Sequence, residues 1–150
     1  MSTNVASLSS SQRLTAGKNQ LRMNYPGVVV AALAAFVASG LWYSPLLFGT
    51  LYAQVRGAEP GPMGPGEIGV ELLRTLVVGY VFARLITMLG IRDWTGALRL
   101  SLLVWIGFPT MILLGSVAHE NVPLQLAAIH AGDWLVKGLI LTIVPSLWRR

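Results

Sequence analysis

The chain has 150 residues, of which only 11% are charged and 54% are hydrophobic, whereas an ordinary soluble domain spends about a quarter of its residues on charge. It contains no cysteine, which excludes disulfides, thiolate metal sites, a cysteine nucleophile and covalent haem attachment. The net charge of +5 sits at segment ends and inside apolar stretches rather than along one basic stripe, so it argues for membrane orientation and against nucleic acid as a partner.

Residues 1–22 are polar, with Arg13, Lys18 and Arg22 as their only charges, and show no helical periodicity. They read as a disordered cytoplasmic tail preceding a membrane domain over residues 23–150. An alternative makes the tail and Val28 to Val37 a signal peptide cleaved near Val37-Ala38-Ser39. A signal core ends within about 7–15 residues, however, and this apolar run continues through Leu46-Leu47-Phe48. No Asp, Glu, Lys or Arg lies between Arg22 and Arg56, a gap longer than the roughly 20 residues that cross a hydrocarbon core.

The first span is expected over residues 27–48. Ala31, Ala35 and Ser39 recur every fourth residue, a small-residue ridge that lets helices approach closely. Trp42 and Tyr43 fall near its far end, where amphipathic rings favour the headgroup level. Pro45 has no N–H for the Leu41 carbonyl, so a kink or early exit is expected there. Residues 57–66 hold four glycines and three prolines and read as a loop.

A second span is expected over residues 68–89. Its Leu, Ile, Val and Phe residues supply about −5 kcal/mol of insertion energy, while Glu71, Arg74 and Arg84 each cost up to about +3 kcal/mol at the bilayer centre. Alone it inserts marginally, so its charges should face protein. The third span, over residues 94–115, carries Arg99 and is expected to break at Gly107-Phe108-Pro109, where Pro109 leaves the Trp105 carbonyl without its helical donor. Arg84 and Arg99 lie toward the cytoplasmic ends and are expected to snorkel. The fourth span, over residues 123–148, opens with Asn121 as its cap and Pro123 in its first turn.

Arg13, Lys18, Arg22, Arg92, Arg149 and Arg150 collect on one side and Arg56 alone on the other. By the positive-inside rule both ends are cytoplasmic. The fold class is therefore all-α: a multi-pass integral membrane protein, a bundle of about four transmembrane helices, placed in a bacterial cytoplasmic membrane.

Ionisable residues inside spans are the first pointers to function. His130, Asp133, Trp134 and Lys137 are spaced i, i+3, i+4 and i+7, which puts them on one narrow helical face. Asp133 lies roughly 15 Å below the outer end of its helix at 1.5 Å per residue. Glu71 and Arg74 enter from the same side, so a network of Glu71, Arg74, His130, Asp133 and Lys137 is expected. In one reading these acids and bases neutralise one another and fix helix register. In the other, His130 and Asp133 take up protons or a cation from an outward cavity.

A metal set of His119, Glu120, His130 and Asp133 lacks the His-Glu-x-x-His spacing, so no metal or cofactor is expected. Ser39, Ser44, Ser101 and Ser116 have no base in a recognisable motif, and the chain is not read as an enzyme.

Two stretches, Leu41-Trp42-Tyr43-Ser44-Pro45-Leu46-Leu47-Phe48-Gly49 with the alanine-rich run from Ala31 before it, and His119-Glu120-Asn121 through Ile129-His130-Ala131-Gly132-Asp133-Trp134-Leu135, resemble the bacterial and fungal membrane family called domain of unknown function 1761. The resemblance extends from about Asn24 to the C-terminus. It implies a small protein of about four spans, supplies no activity, and places the usual start near Met23-Asn24-Tyr25, making residues 1–22 an extension or a miscalled start. Where similar sequences continue Phe-Gly-Lys and then Trp, this chain has Thr50 and Tyr52, without the basic anchor.

Two functions remain in view. One is a structural or binding bundle that, within the lipid bilayer, meets a second copy or a partner membrane protein through the small ridge of the first span. The other is a small proton- or cation-coupled transporter using His130 and Asp133, with the freed Trp105 carbonyl on its path.

Overall fold

The computed structural model describes residues 23–57 and 63–147. The tail at residues 1–22, the centre of the Gly/Pro-rich segment at 58–62, and Trp148, Arg149 and Arg150 lie outside the described residues. Of those described, 83% are helical and none is in a strand.

Helix α1 (Tyr25–Trp42) begins where the Asn24 side chain accepts from the Gly27 N–H at 3.1 Å, with Pro26 in the first turn, a start that satisfies one orphan donor. Gly27, Ala31, Ala35 and Ser39 fall at steps of four and are all buried, whereas the bulkier Leu33 and Val37 are 52% and 67% exposed. The small ridge thus packs within the chain, against α3 and α6, and is not available to a second copy or partner. The helix ends at Trp42, six residues before the expected Phe48. Pro45 stands just past the exit, and the Tyr43 N–H still bonds the Ser39 carbonyl at 3.0 Å.

The turn after α1 closes with the Phe48 N–H on the Trp42 carbonyl and the Gly49 N–H on the Ser44 carbonyl. A Cβ on Gly49 would fall 2.3 Å from the Tyr43 carbonyl oxygen, so only glycine fits. A short helix unforeseen in the sequence, α2 (Gly49–Arg56), follows and ends at Gly57 with φ +64°. It folds back onto α6, burying Ala53.

Helix α3 (Pro65–Met88) starts three residues before the expected Ile68 and buries a stripe of Thr75, Gly79, Phe82, Ala83 and Ile86. It stops with Gly90 at φ +67° and the Ile91 N–H on the Ile86 carbonyl, a Schellman closure. Asp93 then caps α4 (Trp94–Trp105) by accepting from the Gly96 N–H at 3.1 Å and from the Thr95 hydroxyl.

At Pro109 the helix does not break. Residues Ile106–Thr110 form a π turn that leads directly into α5 (Met111–His119). A π turn pairs each carbonyl with the N–H five residues on, which for Trp105 is Thr110 rather than the donor-less Pro109. The Trp105 carbonyl is therefore not freed to line a path. Asn121 does not cap the last helix either. It takes φ +56° in the connection, a left-handed conformation asparagine tolerates, and α6 (Leu124–Leu147) starts after Pro123.

Helix α6 is the central element, with α1, α3 and α4 packed around it. The core cluster joins Ala31, Ala32 and Ala35 of α1, Phe82 of α3 and Leu141 of α6. At Gly132 the ring of Trp42 lies where a Cβ would be, at 2.5 Å, and at Gly138 the hydroxyl of Ser101 lies at 2.8 Å. Among the described residues three helices are long and apolar enough to cross a membrane: Tyr25–Trp42, Trp94–His119 and Leu124–Leu147. The second of the four expected spans is not among them. Helix α3 is 24 residues long but carries Glu67, Glu71, Arg74 and Arg84.

Two outcomes follow from these contacts. Gly132→Ala drives a methyl group into the Trp42 ring and should cost about 1–3 kcal/mol, read as a lower thermal midpoint with red-shifted Trp42 fluorescence. At Asp93 the Thr95 hydroxyl, and after it the Gly96 amide, holds the carboxyl below the usual carboxylate range. Its folded value lies below its unfolded one, so its support of the α4 start is complete above about pH 3.9 and fades as pH falls through the depressed value. Amide exchange at Gly96 should accelerate on acidification in the native chain, whereas Asp93→Asn, which keeps a capping oxygen, should remove that acid dependence.

Candidate functional site: a buried ion-paired seam

The helical face of α6 carrying His130, Asp133, Trp134 and Lys137 turns toward α1 and α3. Asp133 and Lys137 are each only 5% exposed. The Lys137 ammonium bridges two carboxylates, lying 2.5 Å from Glu71 Oε1 on α3 and 3.0 Å from Asp133 Oδ2 one turn earlier on α6. Asp133 Oδ1 accepts from the Ser39 hydroxyl of α1. Glu71 Oε2 accepts from Arg74 Nη1 at 2.9 Å, and its Oε1 also takes a long bond from the Thr75 hydroxyl at 3.4 Å.

Every carboxylate oxygen of the seam therefore has a donor, and two acids face two bases. Charges this deep are tolerated only when paired and hydrogen-bonded. The Trp134 ring adds a neutral surface between the two cations, with Arg74 at 5.8 Å and Lys137 at 5.9 Å from its centroid, distances at which the ring quadrupole attracts a cation. Three helices meet in one network, because Ser39 belongs to α1, Glu71 to α3, and Asp133 and Lys137 to α6.

His130 is placed elsewhere. Its Nδ1 is 2.7 Å from the Tyr43 hydroxyl, and its ring meets the edge of Tyr52 at 5.6 Å. Tyr52 in turn accepts from Arg56 Nη1 at 2.6 Å, with the guanidinium stacked 5.3 Å from its ring. So Glu71, Arg74, Asp133 and Lys137 come together, while His130 joins an aromatic layer with Tyr43, Tyr52 and Arg56. Trp42 and Tyr43, expected at a headgroup level, turn inward onto α6. Trp42 donates to the Ile129 carbonyl at 3.1 Å, and from the other flank Trp105 donates to the Ala131 carbonyl at 2.7 Å.

Sequence reasoning missed Ser39 as a partner of Asp133, Thr75 altogether, and Tyr52 and Arg56 as neighbours of His130. Ser39 did stand out as the one hydroxyl in an otherwise alanine ridge, which is the signal that could have found it. Among the described residues no group of three His, Asp or Glu side chains is arranged to hold a metal ion, and His119 and Glu120 stay exposed at the end of α5. A cavity of about 350 Å³ opens between α3 and the α4–α5 helix; Trp134 separates it from the seam, and its lining includes neither His130, Asp133 nor Lys137.

Removing only the central cation exposes the energetics. Lys137→Met leaves two buried carboxylates facing each other and should cost about 3–5 kcal/mol, measured as a loss of stability in detergent unfolding. Combining it with Glu71→Gln and Asp133→Asn, which keep acceptors for Arg74 and Ser39, should recover most of that loss. A triple variant no more stable than the single one would contradict the paired-charge account.

Residues 26–145 match the family model described as "Protein of unknown function (DUF1761)". No curated protein and no solved structure matches the chain. The matched segment runs from the first turn of α1 to the last turn of α6 and contains the whole seam. The chain belongs to the DUF1761 family.

Proposed function

We propose that this chain is a four-span membrane protein with both ends cytoplasmic, acting as a structural or binding bundle without a reaction of its own. Three of its helices are long and apolar enough to cross a bilayer, and α3, at 24 residues, is about 36 Å long. Its Glu71 is neutralised inside the bundle by Lys137, which removes much of the insertion cost counted for the isolated helix. Arg92 in the α3–α4 connection then lies on the same side as the basic chain ends. Bulky apolar side chains outside and small ones inside, as on α1, suit a surface solvated by lipid.

The single observation that carries the functional reading is the closure of the seam. Asp133 and Lys137 are buried, all four carboxylate oxygens are engaged, and neither residue lines the cavity beside them. A proton or cation carrier needs its ionisable groups to face a water-filled cavity. The polar residues of this chain instead lock helix register, leaving the outer helical surfaces for partners.

The test is proton flux in proteoliposomes with an imposed pH gradient. The native chain should hold the gradient as well as protein-free vesicles, and Asp133→Asn should change thermal stability without changing leak. Gradient collapse by the native chain, abolished in a folded Asp133→Asn variant, would overturn the structural reading. Reporter fusions at the chain ends and at Arg92 should all report the cytoplasm.

A further inference from the structure

The cavity between α3 and the α4–α5 helix is a lateral groove. Both walls pack on α6 but scarcely on one another. Val77, Val81 and Leu85 line one side at steps of four, and Phe108 and Ile112 line the other, where the π turn carries the chain past Pro109. Trp134 closes the end nearer α2. The lining is almost wholly apolar. A volume of about 350 Å³ lies at the low end for a small-molecule site.

Arg74 stands beside this groove, across the Trp134 ring that lines it. It precedes Val77, Val78 and Val81 by three, four and seven residues on the same stripe of α3, and its guanidinium lies over Trp134. The side chain is 53% exposed and makes one hydrogen bond, through Nη1 to Glu71, although a guanidinium carries five N–H donors. Its neighbours on the exposed surface are Val70, Leu73 and Val77, all apolar and open. A half-exposed cation beside lipid-facing side chains is costly unless it reaches an anion at the interface, and phosphate oxygens match the guanidinium fork. On α3 the side chains tilt toward the helix N-terminus, which directs Arg74 toward the outer headgroup level.

We propose that this groove is a phospholipid site, with one acyl chain lying along Val77, Val81 and Leu85 against Phe108 and Ile112, and the phosphate held by Arg74. The site rests on the membrane-spanning reading given above and adds to it a specific ligand class. Lipid bound there fills the gap that α3 and α4 leave between them and supplies Arg74 with the acceptors that Glu71, shared with Lys137, does not.

Native mass spectrometry of the full chain in detergent, titrated with dioleoyl phosphatidylglycerol, tests it. A single lipid adduct should form at low lipid ratio, and neither dioleoylglycerol, which lacks the phosphate, nor glycerol 3-phosphate, which lacks the tails, should displace it. Arg74→Gln should weaken the adduct by about tenfold or more, whereas Arg84→Gln, an exposed arginine on the same helix, should leave it unchanged. Val81→Trp, which fills the groove, should abolish it while circular dichroism and the thermal midpoint show a folded chain.

Equal loss in the Arg74 and Arg84 variants, displacement by either half of the lipid, or a dimer that Val81→Trp dissociates would overturn the site. A chain that stays monodisperse without detergent would instead overturn the membrane reading and the site with it. A detergent-requiring chain with cytoplasmic ends and no selective adduct would overturn the site alone.

Discussion

The ammonium of Lys137, held between Glu71 of α3 and Asp133 of its own helix, is the constraint around which the rest of the molecule is arranged. A lysine buried to this depth has to keep two acceptors in place, and those acceptors come from two helices. Asp133 in turn takes the Ser39 hydroxyl, which draws in α1. The relative rotation and depth of α1, α3 and α6 are then no longer free, because a slip of one helical turn at any of them strands a charge. Apolar packing alone specifies such a register weakly: the cluster of Ala31, Ala32, Ala35, Phe82 and Leu141 presents small, smooth surfaces that could slide. The ion-paired seam supplies specificity, and the small residues supply the close approach that makes the seam dry.

The helix outside this seam is α4 with its continuation α5. It packs on α6 through the buried Ala97 and Ser101 and through Leu100 and Val104 against the core cluster, with the Trp105 indole on the Ala131 carbonyl and Ser101 against Gly138, while its outer side is exposed. The Ser101 hydroxyl has no hydrogen-bond partner among the described residues, so this contact is held by shape rather than by polar bonding. Because α3 and α4 both pack on α6 but scarcely on each other, a groove is left between them, with the exposed Arg74 guanidinium beside it.

Much of this was legible in the sequence where the governing period was local. The polar face of α6 follows from the spacing of residues 130, 133, 134 and 137 along one helix, and the meeting of Glu71 with Lys137 from the need of two buried charges entering from the same side. What escaped was set by tertiary placement. His130 left the network because the turn after α1 and the short α2 bring Tyr43 and Tyr52 to it, and an eight-residue helix between an apolar run and a glycine-rich segment has too little periodicity to stand out. The small ridge was visible, but its direction was not, since the same spacing serves an interface within the chain or between chains. At Pro109 the rule that proline interrupts an α-helix is sound for i+4 bonding, and the chain evades it by widening one turn.

Water access to the seam is the most direct test of this account. The chain has no native cysteine, so single substitutions Ser39→Cys and Thr75→Cys place a thiol beside Asp133 and Glu71 without background. In sealed vesicles treated with a membrane-impermeant maleimide from either side, both should stay unlabelled under conditions that fully label Gln125→Cys at the exposed start of α6. Labelling of either seam position at a rate comparable to that control would show that water reaches the carboxylates, and would contradict a closed, register-fixing seam.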